Sequence, residues 1–120
     1  VGFAVEVGRV AKMILESKKA VALTGAGIST ESGIPDFRGP QGLWKQVDPK
    51  TSTIQFFRQF PEVFWRFIVE RLEVVVRAEP NRAHYALAEL ERMGKLSAVI
   101  TQNVDGLHFK AGSRNVIELH

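Results

Sequence analysis

The chain has 120 residues, 45% of them hydrophobic and 24% charged, with no cysteine. That composition suits one domain or a piece of one, and excludes a disordered tail, a collagen-like repeat, and any disulfide or thiolate metal site within the chain. The net charge of +3 comes from 16 Lys and Arg against 13 Asp and Glu. It is too mild and too dispersed for a nucleic-acid track, so Lys18-Lys19 and the spaced Arg66, Arg71 and Arg77 read as solvated helix faces.

Taken in chain order, Phe3, Val7, Val10 and Ile14 recur at helical spacing and predict an amphipathic helix from Phe3 to Ser17. The apolar run from Ala20 to Thr24 predicts a buried strand that breaks into the turn Gly25-Ala26-Gly27. The segment from Ile34 to Pro49, with Pro35, Gly39, Pro40 and Gly42, reads as a loop. Ser52-Thr53-Ile54-Gln55 fits a capping box, its hydroxyl and amide satisfying orphan N–H groups, ahead of a short helix to Phe60. Pro61 suits the start of the next helix, on which Phe64, Phe67, Ile68, Leu72 and Val75 share a face. Asn81 is the N-cap of another, with Ala83, Leu87, Leu90 and Met93 as its apolar stripe and Gly94 as its stop. Two more strands are expected, from Ser97 to Thr101 and from Asn115 to Leu119.

Short apolar strands separated by helices imply an α/β fold, a parallel sheet with helices on its faces. The helical material between the first two strands is too long for one crossover. We expect an insertion, roughly Gly39 to Pro80, standing off the sheet. No apolar run approaches the roughly 20 residues of a membrane span, and no basic-then-apolar leader opens the sequence, so neither a transmembrane helix nor a signal peptide is expected.

Gly25-Ala26-Gly27 follows a strand and precedes Ile28-Ser29-Thr30-Glu31-Ser32, a plausible first helical turn. Backbone N–H groups there would face an anion such as a pyrophosphate. The pattern departs from the dinucleotide fingerprint: Thr30 holds the third glycine position, and no strand-ending acid lies about 20 residues on. A plain tight turn is the alternative. Past it, Ile34-Pro35-Asp36-Phe37-Arg38-Gly39 sets a carboxylate, an aromatic ring and a guanidinium on one loop. It reads either as a functional lid or as a solvated loop with an Asp-Arg pair and a core phenylalanine. The second strand runs out through Gln102, Asn103, Val104 and Asp105 to His108, and the third ends at His120. Polar groups at the carboxyl ends of parallel strands face the ligand crevice.

No metal-ligand spacing joins His84, His108 and His120. His84, near a helix start, reads as a capping or packing residue, and His108 as a turn residue that closes by hydrogen bonding. His120, at a strand end, is the better candidate base. A Ser-His-Asp triad through Ser29 or Ser32 lacks a nucleophile elbow.

The stretches GAGISTESGIPDFRG (Gly25 to Gly39), TQNVDGLH (Thr101 to His108) and ELH ending at His120 closely resemble the signatures of the sirtuins, the NAD-dependent protein deacylases. Gly42-Leu43-Trp44 and Pro80-Asn81-Arg82-Ala83-His84 are also similar to landmarks of that family. The resemblance implies a Rossmann-type parallel sheet with helices on both faces, incomplete here. It also implies a cofactor loop at about 34–49, and a helical insertion at about 50–80 belonging to a smaller domain. It implies that Gly25, Ala26, Gly27 and Ser29 hold the pyrophosphate and nearby groups of NAD, that Ile34 and Asp36 are cofactor-binding, and that Arg38 helps order the cofactor loop and its phosphates. Gln102 and Asn103 would contact the nicotinamide-side ribose, and Val104 and Asp105 the carboxamide. Phe37 would cover the reactive ribose carbon, and His120, with Asn103, would be catalytic.

By the same resemblance NAD is consumed. The acyl-lysine oxygen attacks the anomeric carbon, nicotinamide departs and an alkylamidate forms. His120 then deprotonates a ribose hydroxyl that attacks it, giving free lysine and O-acyl-ADP-ribose. Acetylated proteins or peptides are the expected partners, and a cytoplasmic location is expected. The family continues past the position of His120 with a four-cysteine zinc module and further strands. We therefore expect zinc only in a longer parent, and an inactive isolated chain. Members that favour acidic acyl groups carry a Tyr-x-x-Arg pair where this chain has Ile68-Val69-Glu70-Arg71, which leans toward neutral acyl groups. A catalytically silent NAD or ADP-ribose binding module and an NAD-dependent oxidoreductase are the alternatives. The missing ribose acid and the extra PDFRG loop count against the oxidoreductase.

Overall fold

β2 (Ala98–Thr101) is buried along nearly its whole length and lies at the centre of a parallel sheet of order β1-β2-β3. The computed structural model describes residues 2–120. β1 (Val21–Thr24) pairs with β2 from Val21 opposite Ala98 to Thr24 opposite Thr101. β3 (Val116–Glu118) pairs on the other side, with Val99 opposite Val116 and Thr101 opposite Glu118. All three strands thus point their carboxyl ends the same way, and this register places Thr24, Thr101 and Glu118 in one row. Each strand is shorter than the sequence predicts, because its flanking residues turn away from the ladder. The result is an incomplete Rossmann-type α/β arrangement, as expected.

The helices are α1 (Phe3–Glu16), α2 (Ile54–Gln59), α3 (Pro61–Arg77), α4 (Arg82–Arg92) and α5 (Leu107–Lys110). Pro61 opens α3, where its missing N–H costs nothing. Asn81 caps α4, its Oδ1 accepting the Ala83 N–H at 2.9 Å. Gly94 takes φ 74° just past the helix, the left-handed conformation that ends it. The cap of α2 corrects the expected box by one residue. Thr53 is the N-cap, accepting from the Phe56 N–H at 3.2 Å, because Ser52 is held in a preceding 3-10 turn, Pro49–Ser52.

Two apolar stripes also shift. On α3 the half-buried positions are Phe64, Phe67, Ile68, Arg71 and Val75, while Leu72 is exposed. The Arg71 guanidinium lies 3.6 Å above the Phe67 ring, so its stem takes the place expected for Leu72. On α4, Ala83 and Met93 are exposed and His84 is fully buried, because His84 has hydrogen-bond partners inside. α5 was not expected: four residues are too few to show a helical period.

The buried apolar residues are Leu43, Ala78, Leu96, Ala98, Val99 and Leu107. Around them the chain stays open. Its radius of gyration is 17.2 Å, against about 13–14 Å for a compact 120-residue domain. Its accessible surface is 8901 Å², against about 6,500 Å² for a folded protein of this mass. The outer face of β1 and nearly all of α1 are uncovered, with Leu23 68% and Phe3 86% exposed and only Ile14 of the helix half-buried. Among the described residues no helix is long and apolar enough to cross a membrane.

Candidate functional site

The carboxyl edge of the sheet brings part of the predicted set together, while Gly25, Gly27, Ser29, Ile34, Val104 and Asp105 do not line the same cavity. Ala26, Asp36, Phe37, Arg38, Gln102, Asn103 and His120 line one open cavity of about 390 Å³, within the usual range for ligand pockets. A larger cavity of about 880 Å³ lies elsewhere, between α4 and the segment before β3, and brings no such chemistry together.

The glycine turn runs into a 3-10 helix, Ala26–Ser32, where the sequence suggested the first turn of an α-helix. Gly33, at φ 88°, ends it. A Cβ at Gly27 would meet nothing within 4 Å, so the backbone there is open to an approaching ligand. Asn103 ties this turn to the end of β2, its Nδ2 donating to the Gly25 carbonyl at 2.9 Å.

The loop after Gly33 is held by its own backbone, and its phenylalanine is not tucked into the core. Asp36 accepts the Gly39 N–H at 2.9 Å and is not paired with Arg38. The Leu43 and Trp44 N–H groups donate back to the Asp36 and Phe37 carbonyls. Gly42 is required at this fold-back, since a Cβ there would lie 2.7 Å from the Phe37 carbonyl. Phe37 stays exposed and packs on Trp44, with ring centroids 5.3 Å apart. Arg38 is exposed, and Ile34 is half-buried behind the 3-10 helix.

Beneath the turn lies a buried polar cluster that sequence reasoning missed. Ser29 is fully buried and donates to Asp105 Oδ2 at 2.6 Å. His84 Nδ1 accepts the Asn81 backbone N–H at 3.1 Å, which completes the cap of α4. The His84 proton must then sit on Nε2, which faces Ser29 Oγ at 3.4 Å. Ser29 therefore receives from histidine and gives to aspartate. That order is the reverse of a nucleophile activated by a base, so no Ser-His-Asp triad operates here. Asp105 Oδ1 also caps α5 by accepting the Leu107 N–H at 3.0 Å.

His108 is buried on α5, and is not a turn-closing residue. Thr24 Oγ1 donates to Thr101 Oγ1 at 2.8 Å, so its lone pair faces His108 Nε2 at 2.9 Å. This joins the carboxyl ends of β1 and β2. Only two sequence signals pointed to the cluster: the cap position of His84, and threonine at the end of two apolar strands.

Burial holds the His84 imidazole below its usual value, with the Asp105 carboxylate opposing. Burial also lowers His108, aided by His84 and opposed by Asp105. Both are then neutral in the folded chain where the unfolded chain, at about 6.5, begins to protonate. Stability is full above about pH 6.5 and falls as the pH drops toward the folded values, because the unfolded state binds more protons. Chemical denaturation of the longer protein between about pH 7.5 and pH 5.5 should show this loss, and His108→Gln should flatten it in part, leaving the share of His84. A flat wild-type profile would contradict the assignment.

A family model described as the Sir2 family matches residues 25–120. The chain belongs to the Sir2 family. An NAD-dependent protein deacetylase of Sulfolobus acidocaldarius is 64% identical over 115 residues, covering 96% of this chain and 46% of that protein. A Sir2 homologue mutant in complex with ADP ribose superposes with a TM-score of 0.88 at 55% identity, covering 93% of this chain and 45% of that one. A further Sir2 structure, with a deacetylated p53 peptide and 3'-O-acetyl ADP ribose, gives 0.87 at 50% identity, covering 94% and 46%. The chain thus spans about half the length of the Sir2 relatives it matches.

Proposed function

We propose that this chain is the NAD-binding portion of a longer NAD-dependent protein lysine deacetylase or deacylase. The reaction would give nicotinamide, free lysine and O-acyl-ADP-ribose, and would run in the cytoplasm, where NAD is available. The observation that carries the reading is the convergence of Ala26, Phe37, Arg38, Gln102, Asn103 and His120 on one crevice. Its geometry fits a dinucleotide: open backbone at Gly27, a guanidinium on the lid, and amides at the end of β2.

In this reading Gly25, Ala26 and Gly27 offer backbone to the pyrophosphate, and Arg38 adds charge from the lid. Ile34 and Asp36 set the lid's base. Ser29 acts from below, fixing the Asp105 carboxylate. Gln102 and Asn103 meet the nicotinamide-side ribose. Val104 offers its backbone and Asp105 its carboxylate to the carboxamide. NAD supplies an anomeric carbon whose substitution develops oxocarbenium character. The exposed Phe37 ring shields that centre from water and returning nicotinamide. His120 takes the proton of a ribose hydroxyl.

Zinc belongs to the parent in this proposal. Among the described residues no cluster of His, Asp or Glu could hold a metal, and the chain has no cysteine. Acetylated proteins or peptides are the partners. Ile68 beside Arg71, whose guanidinium is stacked on Phe67, supports a lean toward neutral acyl groups.

The test incubates the full-length protein with NAD and an acetyl-lysine peptide and looks for O-acyl-ADP-ribose. NADH formation would favour the oxidoreductase, and binding without products the silent module. Asp105 has its own test. Because Asp105 also caps α5, Asp105→Asn is a better probe than alanine, since it keeps an acceptor for the Leu107 N–H. Nicotinamide exchange should fall about 10–10²-fold, the worth of a hydrogen bond to a charged group. ADP-ribose affinity should change little, and equal losses for both would remove Asp105 from the carboxamide site.

A further inference from the structure

β3 carries His120 to the crevice, and within this chain its own side chains add little to where along β2 it stops. The strand has three residues, and only Val116 is half-buried. Register is set by a buried face and is weak where little is buried. A slip of two residues would keep each side chain on its face and move His120 by about 6.6 Å.

The start of the strand supplies what the strand lacks. Glu91, in the last turn of α4, turns its carboxylate onto the backbone ahead of β3. Its Oε2 accepts the Arg114 N–H at 2.9 Å, and its Oε1 accepts the Asn115 N–H at 2.7 Å. Asn115 then locks to β2 twice. Its carbonyl accepts the Val99 N–H at 2.9 Å, and its side-chain amide donates to the Ser97 carbonyl. Two residues before Asn115, Ser113 donates its N–H to the His108 carbonyl at 3.0 Å. Two consecutive backbone donors on one carboxylate accept only one register, and charge-assisted bonds are the strong kind.

We propose that Glu91 is a positioning residue for His120. Its carboxylate seats the two amides that begin β3, and so sets where the far end of the strand delivers the imidazole. The two N–H bonds hold the Glu91 carboxyl below its usual range, so it is charged throughout the neutral range. Glu91 does not line the crevice, so its proposed route to His120 is through β3. The inference rests on the reading of His120 as the base of the proposed reaction.

The test uses the full-length protein with Glu91→Ala and Glu91→Gln. The glutamine variant keeps the shape and one acceptor, and guards against a misfolded alanine variant. Amide hydrogen exchange at Arg114 and Asn115 should speed up about tenfold or more in the alanine variant, and less in the glutamine one. Deacylation turnover should fall on the order of 10- to 10²-fold, the cost of misplacing a reacting group by about 1 Å. Nicotinamide exchange, which needs no base, and NAD affinity should stay within about twofold, because the glycine turn and Gln102 to Asp105 are held by other contacts. The Cε1–H NMR signal of His120 should shift.

Unchanged exchange at both amides would overturn the clamp. Equal losses of turnover, nicotinamide exchange and NAD affinity would also overturn it, as the mark of a general structural role. A full-length wild type that makes no O-acyl-ADP-ribose would sink the deacylase reading. The amide exchange and the His120 signal would still decide the clamp.

Discussion

Replacing His120 by alanine in the full-length protein should lower deacylation turnover by about 10²–10⁴-fold while NAD affinity changes little. Three histidines are present, and the structure separates them. His84 has both ring nitrogens engaged inside the protein. His108 is buried with Nε2 engaged by Thr24. Only His120 is exposed on the crevice. The nearby carboxylates are poor substitutes, since Asp36 holds the Gly39 N–H and Asp105 holds Ser29 and the Leu107 N–H. The loss should fall on the step after nicotinamide departure, so the species preceding it should accumulate. Single-turnover deacetylation beside an NAD titration measures both quantities. Near-normal turnover in His120→Ala would leave it a structural strand-end residue.

The 120-residue chain alone should associate or melt without cooperativity, and should release no O-acyl-ADP-ribose. Its surface exceeds that of a compact protein of its mass by roughly a third, and many large apolar side chains lie on it. Val5, Val7, Val10 and Met13 on α1, Val21 and Leu23 on β1, and Ile117 and Leu119 at β3 are all exposed. Parallel sheets need both faces covered, and open edges invite pairing with other chains. Restoring the length of the Sir2 relatives should give a cooperative transition. Sedimentation and thermal melting of both forms test this. An isolated chain that is monomeric, melts cooperatively and is active would refute the reading.

The strands and the α4 cap were legible because each depends on neighbours in sequence. Apolar runs ending in glycine or in polar residues announce parallel strands, and Asn81 and Gly94 act within a few residues of where they stand. The rest depends on distant partners. Nothing local to His108 shows that Thr24, 84 positions away, is its partner. Nothing local to Arg71 shows that it, and not Leu72, lies on the inner stripe of α3, because the ring of Phe67 decides that. Nothing local to Ser29 shows that its buried hydroxyl donates to Asp105, 76 positions away. The site's open rim was visible in the sequence; its foundation required the fold.

That foundation has a shared centre. Ser29 Oγ donates to Asp105 and faces both His84 Nε2 and Asn103 Nδ2 at 3.4 Å. Four side chains from three segments meet at one oxygen, so their contributions are not separable quantities. Removing the hydroxyl strips a partner from His84, Asn103 and Asp105 together, and removing any of those three alters what the hydroxyl offers the other two. Effects at such positions depart from addition by roughly 0.5–3 kcal/mol. The single-substitution effects of Ser29, His84, Asn103 and Asp105 therefore form a matrix rather than a list, and only double-mutant cycles would apportion it.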